Sequence, residues 1–163
     1  KMKRIKILII SVLMITLAFA SCDSETAHVV EYYSNDSSLL SGSEKKQPKL
    51  VFYYSGTDST NCREVQYYND GTKKIEGRHK NGARDGEWTA WYRNGRIWSR
   101  GNYKDGYAEG TRRVYHENGG LYIIGDYKHG ERVGEWIFYD SLGKEMKKVN
   151  YGLAKDVSPV TNE

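Results

Sequence analysis

The sequence predicts an all-β protein, an elongated single-layer antiparallel sheet of stacked β-hairpins about 24 residues long. Three observations predict it. Glycines recur in register at Gly71, Gly95, Gly119 and Gly143, at Gly82, Gly106 and Gly130, and at Gly86, Gly110 and Gly134. Aromatic residues keep the same spacing, with Tyr67, Trp91, Tyr115 and Tyr139 in one column and His79, Tyr103, Tyr127 and Tyr151 in another, where the ring is His once and Tyr three times. The runs between glycines are aromatic and β-branched, and the breaks carry pairs such as Asn94-Gly95 and Asp105-Gly106, the composition of strands and tight turns. With 14 tyrosines, 17 glycines and 2 prolines in 163 residues, the chain suits one domain of strands and turns better than a helical bundle.

Residues 1–21 read as a secretory signal of the lipoprotein type. Lys1, Lys3, Arg4 and Lys6 precede an apolar run from Ile7 to Phe19, and Ala20 and Ser21 precede Cys22, the order of a signal peptide. That apolar run is short for a membrane span, which takes roughly 20 residues. Phe19-Ala20-Ser21-Cys22 resembles a bacterial lipobox, with Phe19 where Leu is usual. The resemblance implies lipidation of Cys22 and attachment to a membrane through acyl chains, each buried CH₂ contributing ~0.8 kcal/mol. The expected location is the cell envelope, at the outer membrane or cell surface. Taking the four basic residues of the signal from the formal charge of +4 leaves a neutral mature chain. Such a chain lacks the basic excess that displaces counterions from phosphates, so nucleic acid is not expected as a partner.

Residues 22–49 read as a tether containing a degenerate hairpin from Val29 to Leu40. Residues 50–61 read as a capping strand, Leu50 to Tyr54, and a loop. Residues 62–155 form the repeat array, and residues 156–163 a disordered tail. With Cys22 lipidated, Cys62 is the one thiol left. It fits a small buried filler, and the cysteines show no disulfide framework or metal spacing.

Because 24 is even, equivalent residues of successive units share one face of the sheet. A two-residue type I′ turn at Asn94-Gly95 would set Trp91 across from Trp98, Tyr92 across from Ile97, and Trp88 over Gly101. A ring over a strand glycine covers exposed backbone. A single layer has no second sheet, so broad rings supply the apolar cover, each burying roughly 150–250 Å² at ~25 cal/mol per Å².

No reactive constellation emerges. His28, His79, His116 and His129 form no metal-binding spacing. His79 and His116 stand in tyrosine positions of their repeats and read as structural substitutions. Glu87, Glu109, Glu131 and Glu135 lie near repeat boundaries, where they read as solvated charges facing Arg84, Arg112, Arg113 and Arg132. No catalytic residue, metal ligand or cofactor is expected.

The pattern in Tyr92-Arg93-Asn94-Gly95, continued through Gly101-Asn102-Tyr103 and Gly106 to Gly110, resembles the MORN repeat variant. The resemblance implies stacked antiparallel hairpins, a binding or scaffolding role and no catalytic residue. The family is common in bacterial secreted and lipid-anchored proteins, many of them labelled antitoxins. Trp91, Trp98, Tyr115, Tyr122 and Tyr139, with Arg93, Arg96 and Arg100, form the expected binding face, since aromatic and arginine residues favour interfaces. A protein partner is the leading expectation. A glycan or peptidoglycan on the aromatic ledge, or a toxin neutralised by capping, are the alternatives.

Overall fold

The computed structural model describes residues 25–32, 47–54 and 58–153. The proposed signal, Cys22, the loop part of the degenerate hairpin and the tail lie outside them. The described residues form one open, helix-free sheet of ten strands in sequence order. They are β1 (Thr26–Tyr32), β2 (Pro48–Tyr54), β3 (Cys62–Tyr67), β4 (Lys73–Lys80), β5 (Ala83–Trp91), β6 (Ile97–Lys104), β7 (Tyr107–Tyr115), β8 (Leu121–Lys128), β9 (Glu131–Tyr139) and β10 (Glu145–Asn150). Every neighbouring pair is antiparallel.

Two turn types alternate along the array, and the one at Asn94-Gly95 is not the type I′ turn the sequence suggests. At Asn94-Gly95 the Gly95 amide donates to Tyr92 O over 3.0 Å and the Tyr92 amide to Arg96 O over 2.8 Å. Gly95 is left-handed at φ 82° while Asn94 is not. This is a three-residue loop built on an ordinary turn, with glycine at its one left-handed position. The type I′ geometry appears at the opposite edge, where Asn81-Gly82, Asp105-Gly106 and His129-Gly130 have positive φ at both residues. A two-residue loop needs both residues left-handed, whereas a three-residue loop needs only the glycine.

The odd loop forces a bulge. Trp88, Thr89 and Ala90 face Gly101, Arg100 and Ser99, as a two-residue turn would also give, and then the register slips so that Trp91 faces Ile97. The expected pairs Trp91–Trp98 and Tyr92–Ile97 therefore do not form. Trp98 becomes the extra residue of the bulge, as Tyr122 does in the next unit, where Val114 faces Ile123 and Tyr115 faces Leu121.

One face carries rings along the stack. His79 and Trp88 meet edge-to-face at 5.3 Å and Trp88 and Tyr103 at 6.0 Å; one period pair later Tyr127 meets Trp136 at 5.0 Å and Trp136 meets Tyr151 at 6.0 Å. Trp88 and Trp136 are buried, and so are Ala90 and Ser99, which face each other across β5 and β6. Trp88 does stand opposite Gly101, yet its ring does not cover that glycine. It lies on Gly77 of the preceding strand, where an added Cβ would come 2.1 Å from the ring, and Trp136 lies likewise on Gly125 at 2.2 Å. Both glycines sit where the register slips. Each indole N–H then donates to a strand carbonyl, Trp88 Nε1 to Arg78 O at 3.2 Å and Trp136 Nε1 to Asp126 O at 3.1 Å. Arg112 holds the equivalent place over Gly101.

Successive units are tied at both edges. The Gly106 amide donates to Arg84 O and the Gly130 amide to Ala108 O, each over 2.9 Å. At the other edge Tyr68 Oη donates to Trp91 O at 2.8 Å, Tyr92 Oη to Tyr115 O at 2.7 Å, and His116 Nε2 to Tyr139 O at 3.0 Å. His116 thus does the work of the tyrosine it replaces. His79 keeps its ring contact with Trp88 and lies 2.8 Å from Glu64.

Candidate functional site

The second face is a set of rows read straight from the register. Val65, Glu76, Thr89, Arg100, Arg113, Ile124, Ile137 and Lys148 follow one another across β3 to β10, each directly opposite the next. Towards the three-residue loops runs an apolar row: Trp91 faces Ile97 in one hairpin and Tyr115 faces Leu121 in the next, with Tyr139 equivalent in β9. These five side chains are half-buried.

Beside the row, between β3 and β6, the face sinks into a hollow of about 440 Å³ whose lining includes Arg63, Glu76, Arg78, Glu87, Trp91 and Arg100. Its charges are mostly fixed in pairs. Arg63 bonds Glu76 at 3.0 Å and Glu25 at 2.8 Å, and its guanidinium lies 4.0 Å over the Tyr53 ring. Lys73 closes on Glu76 at 2.7 Å. Burial pushes the Glu76 carboxyl up, but the hydrogen bonds from Lys73 and Arg63 outweigh it and hold the group below its ordinary value. Arg100 lies 3.5 Å from Glu87.

The structure divides the expected binding face. Trp91, Tyr115 and Tyr139 stand at equivalent positions on one side, and Arg100 stands with Trp91 in the hollow. Trp98 and Tyr122 sit at the bulges, 46% and 36% exposed, against the rings of Tyr92 and His116. Arg93 and Arg96 belong to the loop edge, where Arg93 bonds Asn69 and Asp70 and Arg96 bonds Glu117 O. These bonds tie neighbouring units together at the loop edge.

The boundary carboxylates also find partners other than those expected. Glu87 meets Arg100, Glu109 meets Lys128 at 2.6 Å, and Glu135 meets Lys148 at 3.3 Å. Arg84 and Arg132 instead lie over the rings of Trp88 and Trp136, at 4.0 and 4.7 Å. Sequence reading missed Arg63, Glu76, Arg78 and Thr89 as neighbours of Trp91. A signal was there, since the 24-residue column holding Glu76 continues as Arg100, Ile124 and Lys148 and has no constant chemistry. Among the described residues no three His, Cys, Asp or Glu side chains are grouped to hold a metal ion.

Two adjacent segments, residues 84–105 and 108–129, match the MORN repeat variant family. They cover the β5–β6 and β7–β8 hairpins with the turns that follow. No curated protein matches the chain. The matched hairpins, the shared spacing of glycines and rings, and the single sheet built by their stacking mark residues 84–129 as two adjacent repeats of the MORN repeat variant type.

Proposed function

We propose that this chain is a non-enzymatic protein-binding module, held at the cell envelope by lipid on Cys22. The observation that best supports it is the face carrying Trp91, Ile97, Tyr115, Leu121 and Tyr139. A half-buried aromatic and aliphatic row lies beside a charged hollow, and among the described residues no second layer packs upon it. Aromatic anchors next to arginines, with a polar surround, are what protein interfaces select. Glu76 in the hollow is held low by two cations, so it is not poised as a general acid at neutral pH, which needs a raised carboxyl pKa.

The test places a photo-crosslinking side chain at Tyr115 or Ile97 of the full chain in cells, with Tyr127 on the ring face as control. Protein adducts from the first two positions alone are expected. Carbohydrate adducts, or equal protein adducts from Tyr127, would remove the reading. Radiolabelled palmitate should enter the wild-type chain and not Cys22→Ser; an unlabelled wild type would remove the anchor.

A further inference from the structure

Resting on that reading of the groove face, the geometry points to a carboxylate-recognition site at Arg100 and Arg113, which receives an Asp or Glu side chain from the bound protein segment. Arg100 on β6 and Arg113 on β7 stand directly opposite one another, so both side chains leave the same face. Like charges placed opposite across strands are destabilising. The repeat does not require them. Going back one period, their counterparts are Glu76 and Thr89; going forward, they are Ile124 and Ile137. Those residues also face each other in register, without repulsion.

The protein contains a second pair of this kind and shows how it is resolved. Arg63 and Arg78 are also directly opposite. There the carboxylate of Glu25 reaches both guanidiniums, at 2.8 Å from Arg63 and 3.5 Å from Arg78. Among the described residues no carboxylate bridges Arg100 and Arg113. Arg100 has one exposed contact with Glu87 at 3.5 Å, and the Arg113 guanidinium makes no hydrogen bond or ion pair among the described residues. Asp126, diagonal to Arg113, accepts a hydrogen bond from Thr111 at 2.7 Å. Trp91, Ile97 and Tyr115 lie on the loop side of the arginine pair. A segment whose apolar side chains cover that row would bring an acidic residue within reach of both guanidiniums, which bind carboxylates in two-pronged fashion.

The probe is a short fluorescein-labelled peptide alternating valine and glutamate, titrated by anisotropy into the full chain. A valine–glutamine peptide, inorganic phosphate as competitor, and phosphatidylcholine vesicles containing phosphatidylglycerol are the comparison arms. The test variant is Arg100→Ile with Arg113→Ile, which copies the Ile124–Ile137 pair of the next repeat and so preserves the fold. The glutamate peptide should bind about tenfold or more tighter than the glutamine peptide, and the double variant should lose that margin. Its denaturation midpoint should equal or exceed that of the wild type. Equal binding of the two peptides overturns the proposal. So does an unchanged margin in the variant, a lowered midpoint, or phosphate or vesicles depending on the arginines as strongly as the peptide does. A partner crosslinked at Tyr115 in wild type and double variant alike would sink carboxylate recognition and leave the binding surface standing. Absence of any partner in the wild type would sink both.

Discussion

Alanine at Gly125 tests whether the tryptophan-on-glycine contact organises the sheet. The new Cβ would lie 2.2 Å from Trp136 Cδ2, well inside contact distance. Expelling the ring would forfeit burial of a side chain only 3% exposed, roughly 150–250 Å² at ~25 cal/mol per Å², or about 4–6 kcal/mol. The cheaper response keeps the ring and shifts it. That costs ~1–3 kcal/mol of overpacking, and about 1 kcal/mol more as the bond to Asp126 O stretches. Alanine returns ~0.5–1 kcal/mol through its strand preference over glycine, so a net loss of about 1–3.5 kcal/mol is expected. Gly101 supplies the control. The group nearest its added Cβ is Arg112 Cγ at 3.3 Å, a flexible side chain that can swing aside, so Gly101→Ala should fall within about 1 kcal/mol of neutral. Urea denaturation midpoints of the two variants read the difference. A double-mutant cycle closes it, because Gly125→Ala combined with Trp136→Arg sets an alanine beneath an arginine, as Gly101→Ala does beneath Arg112, and should cost clearly less than the sum of its parts. Equal losses at Gly101 and Gly125, or strict additivity, would refute the reasoning.

Two further predictions concern titratable groups. Tyr67 has its hydroxyl pushed up to about 12, first by burial and then by the hydrogen bond with Tyr53, whose Oη is 3.2 Å away. A folded value above the unfolded one of about 10 means that its contribution to stability is full below pH ~10 and is lost as pH rises towards 12. Tyr67→Phe should flatten the fall in urea midpoint over that window; an unchanged fall refutes the assignment. Cys62 is buried, and its thiol is pushed up first by that burial and then by the negative charges of Glu64 and Asp58. Alkylation followed by mass spectrometry should be slow at Cys62 in the native chain and fast in urea, and rapid native labelling would count against the placement.

The legible part of the fold was the part written into spacing. Gly95 and Gly119 mark the same kind of loop, and Tyr92 and His116 the same inter-unit hydrogen bond, so position in the repeat predicted role even where residue type changed. Asn94-Gly95 misled because an Asn-Gly pair suits both a two-residue loop and a three-residue loop. The choice depends on where the flanking strands begin to pair. His129-Gly130 took the type I′ form with a weaker local signal, since its position between β8 and β9 required a two-residue connection. The candidate site was half legible. Trp91, Tyr115 and Tyr139 line up as an even period demands, but Arg93 and Arg96 lie on the loop edge because Arg93 is in the three-residue loop and Arg96 follows it directly.

By itself, the amino-acid sequence determined the repeat, its hairpin unit, the columns of rings and glycines, and the alternation that sends equivalent residues to one face. All of these follow from local backbone preference and a period of two along a strand. Tertiary structure alone decided which glycine Trp88 and Trp136 cover and that Arg100 stands opposite Arg113 with no carboxylate among the described residues bridging them. Bulges in β5, β7 and β9, opposite Gly77, Gly101 and Gly125, shift one strand against the next. The identity of a cross-strand neighbour therefore depends on the summed slips of both chains, a quantity that no short stretch of residues carries.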